Sequence, residues 1–282
     1  MVLTREEEDT ILKFVKEEPR TIQDVARRID KSWLTADSYV DKIMEKTGLI
    51  NIKKFREGTR GALKIVYWNY SESIENDDVR QNLFQSIKFG RAKTDFDPFE
   101  VYQFVQDEKK RVITEEYDEA LESKKQELIP LLRSVENTLY CFSGNLSWVN
   151  MTEGSVKVAD ELRELFKRGV SVKVVCRVDI ASLKNIDLLQ KLCGEVGSGS
   201  VEIRHSFQPL RGFIFDDRQA RFKDEKFVKT YKEGELKKNI RIFYDVFDEE
   251  WVDWLQKVFW ELYRHSILSG KRMEQLSKIL LS

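Results

Sequence analysis

The sequence predicts a multi-domain α/β protein with an N-terminal winged helix-turn-helix, a helical linker and a C-terminal α/β sheet domain. Short helices precede a two-stranded hairpin, a polar and turn-rich stretch follows, and strands then alternate with helices. The length of 282 residues allows two domains with cores of their own. The predicted boundaries are 1–70 for the winged helix, 71–117 for the linker and 118–282 for the sheet domain.

Composition restricts the class of protein. Hydrophobic residues make up 41% and charged residues 34%, with 13 Gly and 4 Pro, which excludes collagen-like, low-complexity and wholly disordered chains. No stretch approaches the roughly 18 apolar residues that span a bilayer. The acidic first ten residues are unlike a signal peptide, so we expect a cytoplasmic protein without a membrane partner. The net charge of −1 confines any nucleic-acid contact to a local patch.

The cysteines and histidines argue against a metal site. Cys141, Cys176 and Cys193 form no CxxC pair, and the only histidines are His205 and His265. An odd number of widely spaced cysteines predicts buried, reduced thiols rather than disulfides. We therefore expect no metal and no cofactor.

The first 70 residues contain the elements of a winged helix. Thr4 and Thr21 each precede an apolar helical pattern and can cap the helix that follows. Asp24 lies three residues after Thr21, as in a capping box. Ser32 can cap a third helix after a short turn, and Gly48 can end it. The predicted elements are helices over 4–17, 21–29 and 33–47, and hairpin strands over 49–55 and 62–70.

Two parts of this domain are predicted to contact double-stranded DNA. Residues 53–64 carry a net charge of +4, and a hairpin with that charge can lie along a phosphate backbone. The third helix would enter the major groove, where Asp37 and Asp41 repel phosphate but an acid can accept a hydrogen bond from cytosine. The alternative is a winged helix that contacts protein. The predicted contacts are Lys31, Ser32, Trp33, Thr35, Ser38, Lys42, Lys53, Lys54, Arg56, Arg60 and Lys64.

The remaining sequence predicts a mainly parallel sheet with helices. The linker should hold one or two helices, and a long helix over 116–138 has a leucine face that includes Leu121. Alternation of strand and helix then indicates parallel pairing. The predicted strands are 138–144, 170–178, 200–206, 212–217 and 239–247, and the predicted helices are 156–169, 183–195, 248–265 and 272–281.

Residues 201–217, VEIRHSFQPLRGFIFDD, resemble the segment of the phospholipase D superfamily that carries the motif HxKxxxxD. In this alignment Pro209 takes the histidine position, Arg211 the lysine position and Asp216 the aspartate position. The family histidine attacks phosphorus, and proline has no nucleophile. The resemblance therefore implies a domain without enzymatic activity. We expect His205 to be an ordinary residue at a strand end.

A winged helix, a helical linker and a phospholipase D-like domain without its histidine together resemble the archaeal TrmB-type transcription regulators. This resemblance implies a DNA-binding regulator, often responsive to sugars. It also implies a homodimer, because phospholipase D-like sites are built from two motif-bearing halves and this chain has one recognisable copy. The alternatives are a phospholipase D-type phosphodiesterase or nuclease targeted to DNA, and an architectural DNA-binding or partner-docking protein.

The loop over 142–148 is the candidate ligand site. It follows the first predicted strand of the sheet, and ligands of open α/β sheets lie beyond the carboxyl ends of strands. Its side chains suit a sugar or another small polar effector, although an ordinary strand-to-helix loop remains the alternative. The predicted ligand-binding residues are Asn145, Ser147, Trp148, Arg177, Arg211 and Asp216.

The helix over 248–265 carries an aromatic stripe that favours core or dimer packing over a ligand platform. Trp260 lies nearly opposite Trp251 on this helix. A second apolar side requires a second partner, which is either the linker helix or another chain.

Overall fold

The computed structural model describes residues 3–47, 49–55, 63–68, 76–117, 127–231 and 236–280. The chain divides into two compact units, which are each assembled from separate segments. The first unit comprises Met1–Val79, Phe99–Phe104 and Lys226–Asn239. The second unit comprises Arg80–Pro98, Val105–Glu225 and Ile240–Ser282.

The N-terminal residues form a winged helix. Its elements are α1 (Arg5–Glu17), β1 (Arg20–Thr21), α2 (Ile22–Arg28), α3 (Trp33–Thr47), β2 (Ile50–Lys54) and β3 (Lys64–Trp68). All three predicted helices and both hairpin strands are confirmed. The short strand β1, which the sequence did not predict, pairs antiparallel with β3 and completes a sheet of order β1-β3-β2 over the described residues.

Local hydrogen bonds explain where these helices begin. Thr4 accepts from the backbone of Glu7, whose carboxylate accepts from Thr4, and Thr21 and Asp24 form the same reciprocal pair. The predicted capping box is therefore present with Asp in place of Glu. The apolar faces meet in one core, which includes Ile11, Val15, Val25, Val40 and Ile43.

The stretch predicted as a linker contains more than helices. It holds α4 (Asn76–Phe89), α5 (Phe99–Tyr102) and the strand β4 (Lys110–Tyr117), which the sequence did not predict. The long helix predicted over 116–138 is wrong at both described ends. Glu116 and Tyr117 belong to β4, and the helix α6 spans only Leu128–Ser134. Leu121 lies outside the described residues.

The second unit contains a large mixed sheet and its helices. The elements in chain order are β5 (Thr138–Ser143), β6 (Thr152–Glu153), β7 (Val156–Lys157), α7 (Val158–Lys167), β8 (Ser171–Cys176), α8 (Leu183–Val196), β9 (Ser200–His205), β10 (Gly212–Phe215), β11 (Gln219–Lys226), β12 (Asn239–Val246), α9 (Glu249–Arg264), β13 (Ile267–Leu268) and α10 (Ser269–Leu280). The sheet runs β13-β9-β8-β5-β10-β11-β12-β4 over the described residues, while β6 and β7 pair separately.

Parallel pairing joins the neighbouring strands β5, β8 and β9 of this sheet. β5 pairs parallel with β8, and β8 with β9, as strand–helix–strand connections require. β10 is antiparallel to both β5 and β11, so the expectation of a mainly parallel sheet is wrong. The reason is the tight turn after β10, which returns the chain directly into β11.

The interior of the second unit is apolar and holds the thiols. Residues of β5 and β8 pack with α7 and α8 in one hydrophobic cluster. Cys141, Cys176 and Cys193 are buried and free, as predicted. In the described ranges no helix is long and apolar enough to cross a membrane. The same ranges contain no group of three or more His, Cys, Asp or Glu side chains placed to hold a metal ion.

Candidate nucleic-acid interface and ligand cavity

Helix α3 presents a mixed outward face. Leu34, Ser38 and Lys42 recur every four residues and are exposed, with Leu34 74% exposed. The opposite side is buried in the winged-helix core through Ala36, Tyr39, Val40 and Ile43. The outward face is therefore held by a packed inward face, which suits a helix that inserts into a groove.

The residues at the start of α3 also have local roles. The Thr35 backbone N–H donates to Ser32 Oγ at 3.2 Å, and the two hydroxyls lie 2.9 Å apart. Ser32 therefore caps the helix as predicted. Lys31 Nζ lies 3.4 Å from a carboxylate oxygen of Glu7, so its charge is partly offset.

The structure corrects the predicted role of Lys64. Its ammonium donates to both carboxylate oxygens of Asp37, at 2.6 and 2.7 Å, and lies 5.5 Å from the ring centroid of Trp33. The side chain of Lys64 is 11% exposed. Asp37 thus neutralises Lys64. The charge of Lys64, which the sequence assigned to a phosphate contact, pairs with an acid of the same domain.

The predicted wing keeps other cations at its surface. Lys54 ends β2 and is exposed, while Lys53 is half-buried with its ammonium 5.8 Å from the ring centroid of Tyr102. Arg56 and Arg60, which the sequence also assigns to this surface, lie outside the described residues. The accessible side chains of the described α3 and wing residues therefore include Leu34, Ser38, Lys42, Lys53 and Lys54.

A cavity of about 240 Å³ lies in the second unit, where β5 ends and β10 begins. The structure places the predicted residues Asn145, Ser147, Trp148 and Arg211 on its walls. The sequence did not point to the other polar residues of the lining, which are Lys93, Ser143, Arg221, Lys223 and Glu225. The loop after β5 is therefore one wall of a charged cavity.

Arg211 is the half-buried cation of this cavity. Its Nη1 donates to the backbone oxygens of Gln208 at 3.1 Å and Leu210 at 2.6 Å. Burial lowers the pKa of Arg211, and the charge of Arg177 lowers it further. An arginine nevertheless stays protonated at neutral pH. Arg211 forms no ion pair with any residue that the structure describes.

A second group of charges lies on β11 and its neighbours. Glu225 accepts from Lys93 at 2.9 Å and lies 3.4 Å from Lys223 and 3.5 Å from Arg241. Burial alone would raise the pKa of Glu225, but the cations of Lys223, Lys93 and Arg241 lower it to about 2. Burial lowers the pKa of Lys223. Glu225 therefore stays ionised and balances part of the positive charge.

Arg221 is balanced by a buried acid. Asp245 on β12 accepts from Arg221 on β11 at 2.5 and 2.7 Å, and from Arg111 on β4 at 2.8 Å. The side chains of Asp245 and Arg221 are 0% and 3% exposed. This row of charges crosses three neighbouring strands and fixes the wall of the cavity.

The rest of the cavity wall is apolar and aromatic. The rings of Trp148 and Phe213 meet edge to face, with centroids 4.9 Å apart. Phe142, Phe243 and Met151 also line the cavity. Flat rings beside cations suit a ligand that has both a charged and an apolar part.

The other two predicted ligand residues do not line the cavity. Asp216, at the far end of β10 from Arg211, accepts from three backbone N–H groups over 136–138 at 2.8–2.9 Å and pairs with Arg218. Its role is to hold the start of β5 against the turn. Arg177 pairs with Asp179 at 2.6 Å, and its backbone N–H donates to Gly144 beside the cavity.

Pro209, which aligns with the histidine of the phospholipase D motif, is a packed interior residue. Pro209 is buried, and a Cβ at Gly90, the residue after α4, would lie 2.7 Å from the Pro209 ring. His205 ends β9, and its Nδ1 accepts the Val178 N–H at 2.9 Å. Burial lowers the pKa of His205. His205 is not part of the cavity lining, in line with the expected strand-end residue.

The aromatic stripe on α9 packs within the chain. Its core residues are buried, as expected for packing rather than a ligand platform. Trp260, which the sequence assigned to a second partner, contacts the rings of Tyr140 and Tyr263. Trp251 lies under the guanidinium of Arg80 from α4, 4.8 Å from the ring centroid. The stripe therefore gives no argument for a dimer.

The sequence gives little signal for the other charged residues of the lining. Arg221, Lys223 and Glu225 recur every second residue, but residues 223–226 are all charged, so the apolar–polar alternation typical of a strand is absent there. Lys93 carries no comparable signal, because only the fold brings it to Glu225. Leu34 was overlooked because an apolar residue on a helix is ordinarily assigned to the core.

Comparison with known proteins gives similarities to solved structures. The phospholipase D family member Nuc from Salmonella typhimurium is 15% identical, with a TM-score of 0.37 over 56% of this chain and 97% of that chain. TrmBL2, described as an archaeal chromatin protein with a novel mode of DNA binding, is 14% identical, with a TM-score of 0.39 over 94% of each chain. NucT from Helicobacter pylori is 10% identical, with a TM-score of 0.38 over 56% of this chain and 99% of that chain.

No protein-family model and no curated protein matches the chain. The fold class follows from the elements of the chain itself. A winged helix and a large mixed sheet with associated helices make this a multi-domain α/β protein.

Proposed function

We propose that the chain is a DNA-binding transcription regulator whose second unit binds a small effector. The observation that carries the proposal is the outward face of α3. It presents Ser38, Lys42 and an exposed Leu34, while its inward face is buried in a winged-helix core. A groove-reading helix needs both properties.

The charges of the same domain support DNA over protein as the partner. Lys54 is exposed on the hairpin, and the sequence places further basic residues in the loop after it. Of the two acids on α3 that oppose DNA binding, Asp37 and Asp41, Asp37 is neutralised by Lys64. Exposed cations that remain without an acid can release counterions from a phosphate backbone.

The second unit is proposed to sense an effector without catalysis. At the motif position that holds a nucleophile in the phospholipase D superfamily, this chain has a buried proline packed against Gly90. The nearest histidine in sequence, His205, has its Nδ1 engaged by a backbone N–H. The cavity beside Arg211 is therefore proposed as a binding site and not as a catalytic site. Homodimerisation stays a prediction that rests on the resemblance alone.

Titration of a labelled DNA duplex by fluorescence anisotropy at several salt concentrations tests this function. Charge reversal of Lys53, Lys54 and Arg60 should weaken binding at least ~10-fold for every sequence, and it should lower the salt slope by about 0.9 for each phosphate that is no longer neutralised. The matched control reverses Lys184, Lys191 and Lys257, which carry the same charge on α8 and α9 of the second unit.

Equal effects in the two triple variants, or none in either, would contradict the proposal. The same titration gives the number of chains per duplex, and two are expected for a dimer. The duplex should stay intact throughout, because no phosphodiester cleavage is expected. Cleavage that disappears in a His205 variant would show that the second unit is an enzyme.

A further inference from the structure

The cavity in the second unit contains a cation, Arg211, that forms no ion pair with a described residue, although the charge of Glu225 acts on it. Asp245 balances Arg221, and Glu225 faces Lys93 and Lys223. Arg211 has only backbone oxygens as partners, both at one nitrogen. A guanidinium taken out of water without an acid costs free energy, which an anionic ligand would offset.

The guanidinium of Arg211 borders the cavity next to Gly144. Gly144 packs closely against it, because a Cβ there would come within 3.0 Å of Nε and 3.2 Å of Nη2. These two nitrogens form no hydrogen bond with a described residue. Two parallel N–H groups of this kind match a carboxylate or phosphate.

The rest of the cavity limits the size and polarity of the ligand that carries the anionic group. Its volume of about 240 Å³ suits a small metabolite. The edge-to-face rings of Trp148 and Phe213 and the nearby Phe243 offer flat apolar walls. Lys93, Lys223 and Arg211 against Glu225 leave a surplus of positive charge on the lining.

We propose that this cavity binds a small organic anion, with its carboxylate or phosphate on Arg211 and a planar apolar body against Trp148 and Phe213. This ligand class differs from the neutral sugar that the family resemblance implies. The inference rests on the proposed effector-binding role of the second unit, but it can be tested without DNA.

Calorimetric titration of the full chain with four probes separates the candidate ligand classes. Benzoate and phenyl phosphate carry the two anionic heads, benzamide is a neutral analogue of benzoate, and maltose represents sugars. At least one anion should bind, at least ~10-fold more tightly than benzamide and maltose. The anion that binds more tightly identifies carboxylate or phosphate as the group that Arg211 recognises.

Two variants test the assigned contact. Arg211→Gln should weaken anion binding about 10- to 100-fold, as expected when a charge-assisted pair is removed. Gly144→Ala keeps the charge but fills the space beside the guanidinium, so it should also weaken binding. Arg163→Gln on α7, which removes an exposed arginine outside the cavity, should bind like the parent chain. Thermal unfolding of each variant verifies that it is folded.

The inference is overturned if no anion binds at millimolar concentration, if benzamide or maltose binds as tightly as benzoate, or if folded Arg211→Gln and Gly144→Ala both bind like the parent chain. Failure of the proposed function gives a different result. Anion binding that leaves DNA affinity unchanged supports the cavity assignment and contradicts the effector role.

Discussion

The two units use their basic residues in different ways. On the winged helix, Lys42 and Lys54 are exposed and lie on surfaces that can meet a partner. In the second unit, Arg221 is 3% exposed and bound to Asp245, which is fully buried. Lys42 and Lys54 are thus part of a surface, whereas Arg221 is part of the interior.

This difference indicates what each cation can do. An exposed lysine costs little to keep charged, and counterions are released when it binds a phosphate. A buried arginine must have an acid close by, so it is a structural group unless its partner is missing. Arg211 is half-buried on the cavity lining without an ion pair to a described residue, and for that reason it is the candidate for a ligand contact.

The largest expected effect comes from breaking the buried charge row. Asp245→Asn would leave Arg221 and Arg111 without their acid and should lower the free energy of unfolding by about 3–5 kcal/mol. Denaturant unfolding followed by circular dichroism measures this decrease. The matched control is Glu195→Gln, which breaks the exposed Arg163–Glu195 pair and should cost at most about 1 kcal/mol.

Similar decreases in the two variants would contradict the distinction between buried and exposed charge pairs. They would mean that water reaches Asp245 well enough to compensate its removal. The comparison between surface and interior cations would then not single out Arg211 as a ligand contact.

Sequence signals were sufficient where structure is set locally. The winged helix was predicted element by element because Thr4, Thr21 and Ser32 cap helices whose apolar spacing is regular. The strands β4 and β11 were missed because charged residues such as Arg111 and Arg221 interrupt their apolar pattern. Arg221 is buried against Asp245 on β12, and Arg111, which is 47% exposed, donates to the same carboxylate.

The candidate sites likewise could be predicted where the signal is local, but not where it depends on contacts between distant residues. The loop with Asn145 and Trp148 could be assigned to the cavity, because strand ends mark ligand sites in open sheets. Asp216 was assigned to the same site from the motif, yet it lies at the other end of β10. The pairing of Asp37 with Lys64 joins residues 27 positions apart, and no local pattern predicts it.

An intermediate effect is expected at the Asp37–Lys64 ion pair, which is largely buried in the first unit. Asp37→Asn should lower the free energy of unfolding by about 2 kcal/mol, because Lys64 loses a charge-assisted partner. It should also tighten DNA binding and steepen its salt dependence, because one acid is removed from α3. Unfolding and anisotropy titrations measure the two changes.

The double variant Asp37→Asn, Lys64→Met is the control. It removes both charges, so it should recover part of the lost stability and return DNA affinity towards that of the parent chain. Unchanged DNA affinity in the single variant would place Asp37 away from the DNA surface and contradict the orientation proposed for α3.

The smallest effect on stability is expected at Leu34, where function alone should change. Leu34 is 74% exposed, so Leu34→Ala should alter the free energy of unfolding by less than about 0.5 kcal/mol.

An apolar side chain on a groove-facing helix can contact the methyl group of thymine. Replacing thymine by deoxyuracil at each position of the bound site should therefore weaken the parent chain about 5-fold at one position, and should leave Leu34→Ala unaffected there. Leu49→Ala removes a partly exposed leucine outside the α3 face and should behave like the parent chain. If the parent chain tolerates deoxyuracil everywhere, Leu34 contacts no thymine methyl, and sequence preference must come from Ser38 and Lys42.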